Sequence, residues 1–209
     1  RLEEAGAITK QITIRGNELG LPMYATLSAN QAGSASPTLL GNRDEMQAIL
    51  DRVPIPPAMR VQILAHLGRD AEAKEILEQM VVARPGFGTA DDNQSIRGDM
   101  AFLEAAVVSG HREAVKMLLH KHASTDMQLV MLVVSNCVLQ RLGEAAAFLG
   151  KYEEARKYNE RAIKICNEMK LRPWLAISRL QLAEVLLEHY PAEKKEALEH
   201  LDFAIKEFR

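Results

Sequence analysis

Gln140 to Met169 read QRLGEAAAFLGKYEEARKYNERAIKICNEM, and this stretch decides the fold. Apolar residues recur at helical spacing on both sides of a Gly150-Lys151-Tyr152 turn. Gly143 and Ala155 lack bulk, so the two antiparallel helices can approach closely. Gly150 supplies the permissive backbone at the end of the first helix. Tyr152 is expected to pack its ring over the turn. One such hairpin cannot bury both of its apolar faces and must lean on neighbours. The expected fold class is therefore all-α, a superhelical array of antiparallel helix hairpins forming an α-solenoid.

Working outward, the same rhythm fills the chain, and no strand is expected between positions 55 and 209. About eleven helices are predicted: 1–19, 22–40, 43–52, 57–67, 70–84, 96–109, 111–122, 126–149, 152–169, 173–189 and 192–208. Gly20 ends the first, with Pro22 just beyond it. Gly33-Ser-Ala-Ser-Pro37 interrupts the second, which makes residues 28–42 the least regular segment. Pro57 suits a helix start and Pro85 a stop. The loop PGFGTADDNQSIRG follows, with Asp92 or Ser95 as the cap of the next helix. Gly68, Ala73 and Leu77 fall where Gly150, Ala155 and Asn159 fall in the quoted unit. Ala183, Ala197 and Ala204 are the expected close-contact positions of the last pair. The 209 residues read as one domain, with degenerate repeats over 1–53 and better-formed ones over 54–209.

Composition narrows the function classes. Hydrophobic residues make up 47% and charged residues 26%, as in a folded globular protein, while aromatics are only 5%. The net charge of −2 gives no long-range pull toward nucleic acid or anionic membrane. No apolar run approaches the roughly 20 residues that span a bilayer. Cys137 and Cys166 are expected as buried free thiols in a reducing, cytoplasmic compartment, with a disulfide between neighbouring helices as the alternative. The chain opens RLEEAGAITK, already in helical rhythm and without an initiator Met, and reads as a piece of a longer protein.

No catalytic constellation, cofactor motif or metal set is expected. A G-x-x-x-x-G-K-[ST] phosphate loop and a G-x-S-x-G elbow are both missing, and Gly86-Phe-Gly88 is a lone GxG without a preceding strand. His120 and His122 are two apart, point to different sides of a helix, and read as a solvated helix end. Glu153 with Lys157 and Glu160 with Lys164 read as ordinary helix-face pairs. Arg156, Lys157, Arg161, Lys164 and Lys170 give one helix a basic side, read as a solvated outer face because no aromatics are interleaved.

Leu142, Gly143, Gly150, Tyr152, Ala155 and Ala162 resemble the tetratricopeptide repeat. The unit departs from that pattern at Asn159, where the family prefers an aromatic, and at Asn167. Residues 57–85 resemble it only at Gly68, Ala73, Leu77 and Pro85. Roughly residues 60–209, with Arg172-Pro-Trp-Leu-Ala176 opening the last pair, are also similar to the C-terminal helical repeats of bacterial signalling ATPases. These are regulators of the LuxR and maltose-activator type and some multidomain adenylate/guanylate cyclases. The likeness implies a non-enzymatic regulatory or scaffold module whose ATPase, cyclase and DNA-binding parts are not in these 209 residues.

In such stacks the first helix of each hairpin lines the concave wall. By register, the partner-binding residues are Arg97 and Glu104, then Gln140, Arg141, Glu144 and Phe148, then Gln181, Glu184 and Glu188. Met100, Cys137 and Ile177 fall in the same rows, with Phe148, Met100 and Trp174 weighed as core. This wall suits a peptide, another domain or a second copy of the chain. The alternative is a sensor holding a small-molecule effector in the groove. Val185, Leu186, Leu201, Ile205 and Phe208 are expected to leave an apolar outer side at the last hairpin, and with it a homodimer contact.

Overall fold

A computed structural model describes residues 2–21, 41–52, 55–125, 127, 129–130 and 136–208. Among them lie ten α-helices: α1 (Leu2–Glu18), α2 (Arg43–Arg52), α3 (Pro57–His66), α4 (Asp70–Leu77), α5 (Ile96–Ser109), α6 (Arg112–His122), α7 (Val138–Phe148), α8 (Tyr152–Glu168), α9 (Arg172–His189) and α10 (Lys194–Phe208). The eleventh predicted helix, 22–40, lies outside the described residues. From α3 onward the helices form four hairpins, α3/α4, α5/α6, α7/α8 and α9/α10, each packed as an antiparallel pair. The first helices α3, α5, α7 and α9 also pack on one another in that order, and each second helix packs on the following first helix. This is a helical-repeat solenoid.

Local chemistry sets the helix ends. Pro57 stands in the first turn of α3, where a missing N–H costs nothing. Ser95 caps α5, its hydroxyl accepting from the Gly98 N–H at 3.2 Å. Gly110 (φ 73) and Gly150 (φ 80) take the left-handed conformation that ends α5 and the α7 turn. Past Leu77, α4 loosens into a π turn over Glu78–Val82 before the chain leaves for the loop.

One segment departs from expectation. Helix was predicted from 126, yet α7 begins at Val138, and Leu129–Val130 pairs antiparallel with Asn136–Cys137 (β1 and β2). Of the four paired residues, Val130 is β-branched and Asn136 is a poor helix former, which favours extended backbone over helix. The ladder is two residues long on each side and joins no larger sheet among the described residues.

The main core runs continuously from α3 to α8, through Leu64, Leu77, Leu103, Leu118 and Leu142, all under 2% exposed. Burial of each such side chain contributes about 2 kcal/mol. A second cluster joins Cys137, Leu139, Ala162, Cys166, Trp174 and Leu175, and a third joins Leu182, Leu186 and Ala197. Small residues fall at the helix crossings as expected: Ala73, Ala155, Ala183 and Ala197 are fully buried, and Ala204 nearly so. Gly143 meets the buried Asn159 amide, at the position where the resemblance leads one to expect an aromatic. Tyr152 does more than cover its turn: its ring stacks on His189 at 3.4 Å between centroids, tying α8 to the end of α9.

Candidate partner-binding wall

The wall is built from the first helices, and its polar groups converge at Glu104 of α5. One Glu104 oxygen, Oε1, stands 2.7 Å from Arg141 Nη2 of α7 and 3.0 Å from His66 Nε2 of α3. Gln62 Nε2, also on α3, donates to Oε2 at 2.6 Å. Glu104 is 7% exposed and Arg141 8%. Burial by itself would raise the Glu104 carboxyl. The Arg141 charge, with His66 and Gln62, reverses this and holds it at about 2. A buried ion pair of this kind contributes little net stability but is costly to break one-sidedly.

From Arg141 the network runs on along α7. Arg141 Nη1 donates to Glu144 Oε2 at 3.0 Å, and Gln140 Nε2 donates to the same oxygen at 3.3 Å. The Arg141 guanidinium also lies 5.5 Å from the Trp174 ring centre of α9. Inside the network, Gln140 Oε1 and Arg141 Nε remain without hydrogen-bond partners. On α9, Gln181, Glu184 and Glu188 share a face by helical spacing. Partial burial, then the Glu188 and Glu144 charges, raises the Glu184 carboxyl above its usual range. Among the described residues no basic group stands within ion-pair distance of Glu184, while Glu188 has His189 at 3.5 Å.

The nine predicted wall residues therefore divide. Glu104, Gln140 and Arg141 are buried and hold the wall together; Glu144 and Gln181 are partly buried. Arg97, Glu184 and Glu188 are exposed. Phe148 is half-buried and packs on the main core, and Met100 and Cys137 are fully buried. His66 and Gln62, which complete the Glu104 site, escaped sequence reasoning. Their link to Glu104 spans about forty residues of chain, which no local pattern signals.

A second polar cluster was also missed, and it corrects the reading of the His120 segment. Lys121 and His122 are not a solvated helix end. His122 Nε2 is 2.8 Å from Asp99 Oδ2, and Lys121 Nζ is 2.7 Å from it and 2.6 Å from Asp92 Oδ2. Arg84 Nη1 donates to Asp99 Oδ1 at 2.9 Å and lies over the Phe87 ring at 4.5 Å. Burial would raise Asp92, but the Gly88 N–H, Lys121 and the Gln94 N–H bring it to about 2. The cluster staples the 83–95 loop to α5 and α6. Two surface expectations also change. Glu160 pairs with Arg156 at 2.8 Å and not with Lys164. Val185 and Leu186 turn into the core and Leu201 is half-buried, so the exposed apolar row on α10 is Leu198, Ile205 and Phe208.

Cys137 and Cys166 are free, fully buried and part of the same core cluster. The neighbouring Cys137 thiol, and then burial, push the Cys166 thiol up, so it stays protonated and inert. Among the described residues no three His, Cys, Asp or Glu side chains are grouped to hold a metal ion, and no helix is long and apolar enough to cross a membrane.

Comparison with curated proteins and with solved structures finds no match. The tetratricopeptide repeat profile matches residues 138–168, which are α7, its turn and α8. This hairpin, with Gly143 against Asn159 and Ala155 and Ala162 fully buried, is a tetratricopeptide-like repeat unit within a helical-repeat solenoid.

Proposed function

We propose that this chain is a non-enzymatic protein-interaction module that takes a peptide, another domain or a second copy of itself on the wall of α3, α5, α7 and α9. The repeat match supports an interaction role. The observation that carries the choice of face is the run of linked polar groups from Gln62 to Glu144, with exposed Glu184 and Glu188 on α9, which packs on α7. Polar groups held rigidly by buried neighbours give a partner fixed points to read. The setting we infer is a cytoplasmic bacterial signalling or transcription-regulatory protein. The support for that is the likeness of Arg172 to Ala176, and of the helices around them, to the repeats of such regulators.

Selection of binding peptides from a displayed random library tests the reading. Binding should be lost in Glu184→Arg and retained in Lys164→Glu on α8. Equal loss from both, or loss only from the α8 variant, contradicts the chosen face.

The runner-up is an effector sensor. A charged, open recess of about 570 Å³ between α9 and α10, lined by Arg179, Glu193, Glu196 and His200, is the place it would use. Thermal shifts with sugars or nucleotides would favour it. Self-association belongs to the same proposal: Leu198, Ile205 and Phe208 form an exposed row on α10. Light scattering that shows a strict monomer at high concentration would remove it.

A further inference from the structure

We infer that the part of the wall between α7 and α9 is a cation-accepting site, fitted to an arginine side chain of the bound segment. This rests on the interaction reading above and narrows it to one chemistry. Four groups set it: Glu144 on α7, and Gln181, Glu184 and Glu188 on one face of α9. Gln140 on α7, fully buried and hydrogen-bonded to Glu144, completes it.

The site is rich in acceptors. Helix α7 packs on α9, and across that seam Glu144 acts on Glu184, which also feels Glu188 on its own helix. Glu144 is already served by Arg141, but Arg141 is also the counter-charge of Glu104. Glu184 has no cationic partner among the described residues. Fully buried Gln140 places its amide nitrogen on Glu144 and leaves Oε1 unpartnered beside it. Gln181 Oε1 is likewise buried and unpartnered on α9. Buried acceptors without donors are costly, as is a carboxylate held near two others. One ligand chemistry relieves both.

That chemistry is a donor-rich, planar cation. The carboxylates lie along two helices and, among the described residues, do not close into a metal-ligand set. A compact metal ion would satisfy at most part of the site. A guanidinium carries five N–H donors in a flat fork, which can engage a carboxylate in two bonds and still reach an amide oxygen. A lysine ammonium offers three donors from one point and fits less of the site. Arg141, paired with Glu104 and Glu144 and 5.5 Å from the Trp174 ring centre, shows the same wall already holding one guanidinium.

A peptide array read with the full chain tests this. Short random peptides are immobilised, the strongest arginine-containing binder is resynthesised with citrulline in place of arginine, and both are titrated by fluorescence anisotropy. Circular dichroism establishes that the doubly substituted Glu184→Gln, Glu188→Gln protein is folded. The expected result is about tenfold tighter binding of the arginine peptide, a difference erased in the double variant and reduced by added salt. Equal binding of the two peptides, binders without arginine, or a preference that survives the double substitution overturns the cation site while leaving the interaction module standing. An array with no binder overturns the interaction reading itself, and the cation site with it.

Discussion

Glu104 of α5 and Arg141 of α7 stand 2.7 Å apart, both under a tenth exposed, and the pair joins two successive hairpins at the centre of the wall. Because each charge is buried against the other, removing one leaves the survivor uncompensated. Glu104→Gln or Arg141→Met should each destabilise the fold by about 3 kcal/mol, read from urea unfolding. The double substitution should cost clearly less than the two single costs added together. Additive losses would mean that the two charges do not sustain one another.

Acid should unfold this protein through the same carboxylate. Glu104 is held at about 2 in the folded chain, against an ordinary value of 4.5. Its folded value is depressed, so its contribution is complete above about pH 4.5 and is lost as pH falls toward 2. That contribution is of the order of 3 kcal/mol at neutral pH. Asp92, brought from 3.8 to about 2, adds in the same direction over a slightly lower window. Stability measured between pH 6 and 2 should therefore fall steeply in the wild type. In Glu104→Gln it should start lower at neutral pH and fall less; an unchanged slope would contradict the assignment.

Glu184 carries the opposite sign. Its folded carboxyl is raised by partial burial and by Glu188 and Glu144, so the folded state binds this proton more tightly than the unfolded chain. The penalty is absent below the unfolded value and grows as pH rises through the folded one. Glu184→Gln should thus be slightly more stable than wild type at pH 7 and indistinguishable from it at pH 3, by thermal melting. A carboxylate kept at some cost to stability is the pattern expected of a group retained for binding. A variant less stable at pH 7 would give Glu184 a structural role instead.

Gly143 and Asn159 define the closest approach of α7 and α8. A methyl group at 143 would come 2.8–3.0 Å from three atoms of the Asn159 amide, at or inside the closest contact a real Cβ makes. The Asn159 amide is buried without partners, so it gives the helix pair no hydrogen bond to keep. Gly143→Ala should cost about 1–3 kcal/mol despite the better helix propensity of alanine. Adding Asn159→Ala should recover most of that loss, as judged by melting temperature. A neutral single substitution would show that the helices are further apart.

The helices were legible because their punctuation is local. Gly20, Gly110 and Gly150 each mark a helix end, Pro57 marks a start, and the small residues at 143, 155, 183 and 197 mark the crossings. That Gln181, Glu184 and Glu188 share one face of α9 follows from helical period alone. What the sequence hid is non-local or competitive. Which acid meets which base depended on hairpin stacking, as with His66 on Glu104 or His122 on Asp99. At 129–130 and 136–137 the chain forms a short ladder where the helical pattern looked continuous. Beyond Leu77, the looser π turn has no composition signal that a helix lacks.

The central claim is that the first helices, and not the second, receive the partner. Amide hydrogen exchange of the whole chain, with and without a saturating selected peptide, tests it most directly. The account predicts slowed exchange in α7 and α9, with α8 and α10 unchanged. Protection confined to α8 or α10 would contradict it.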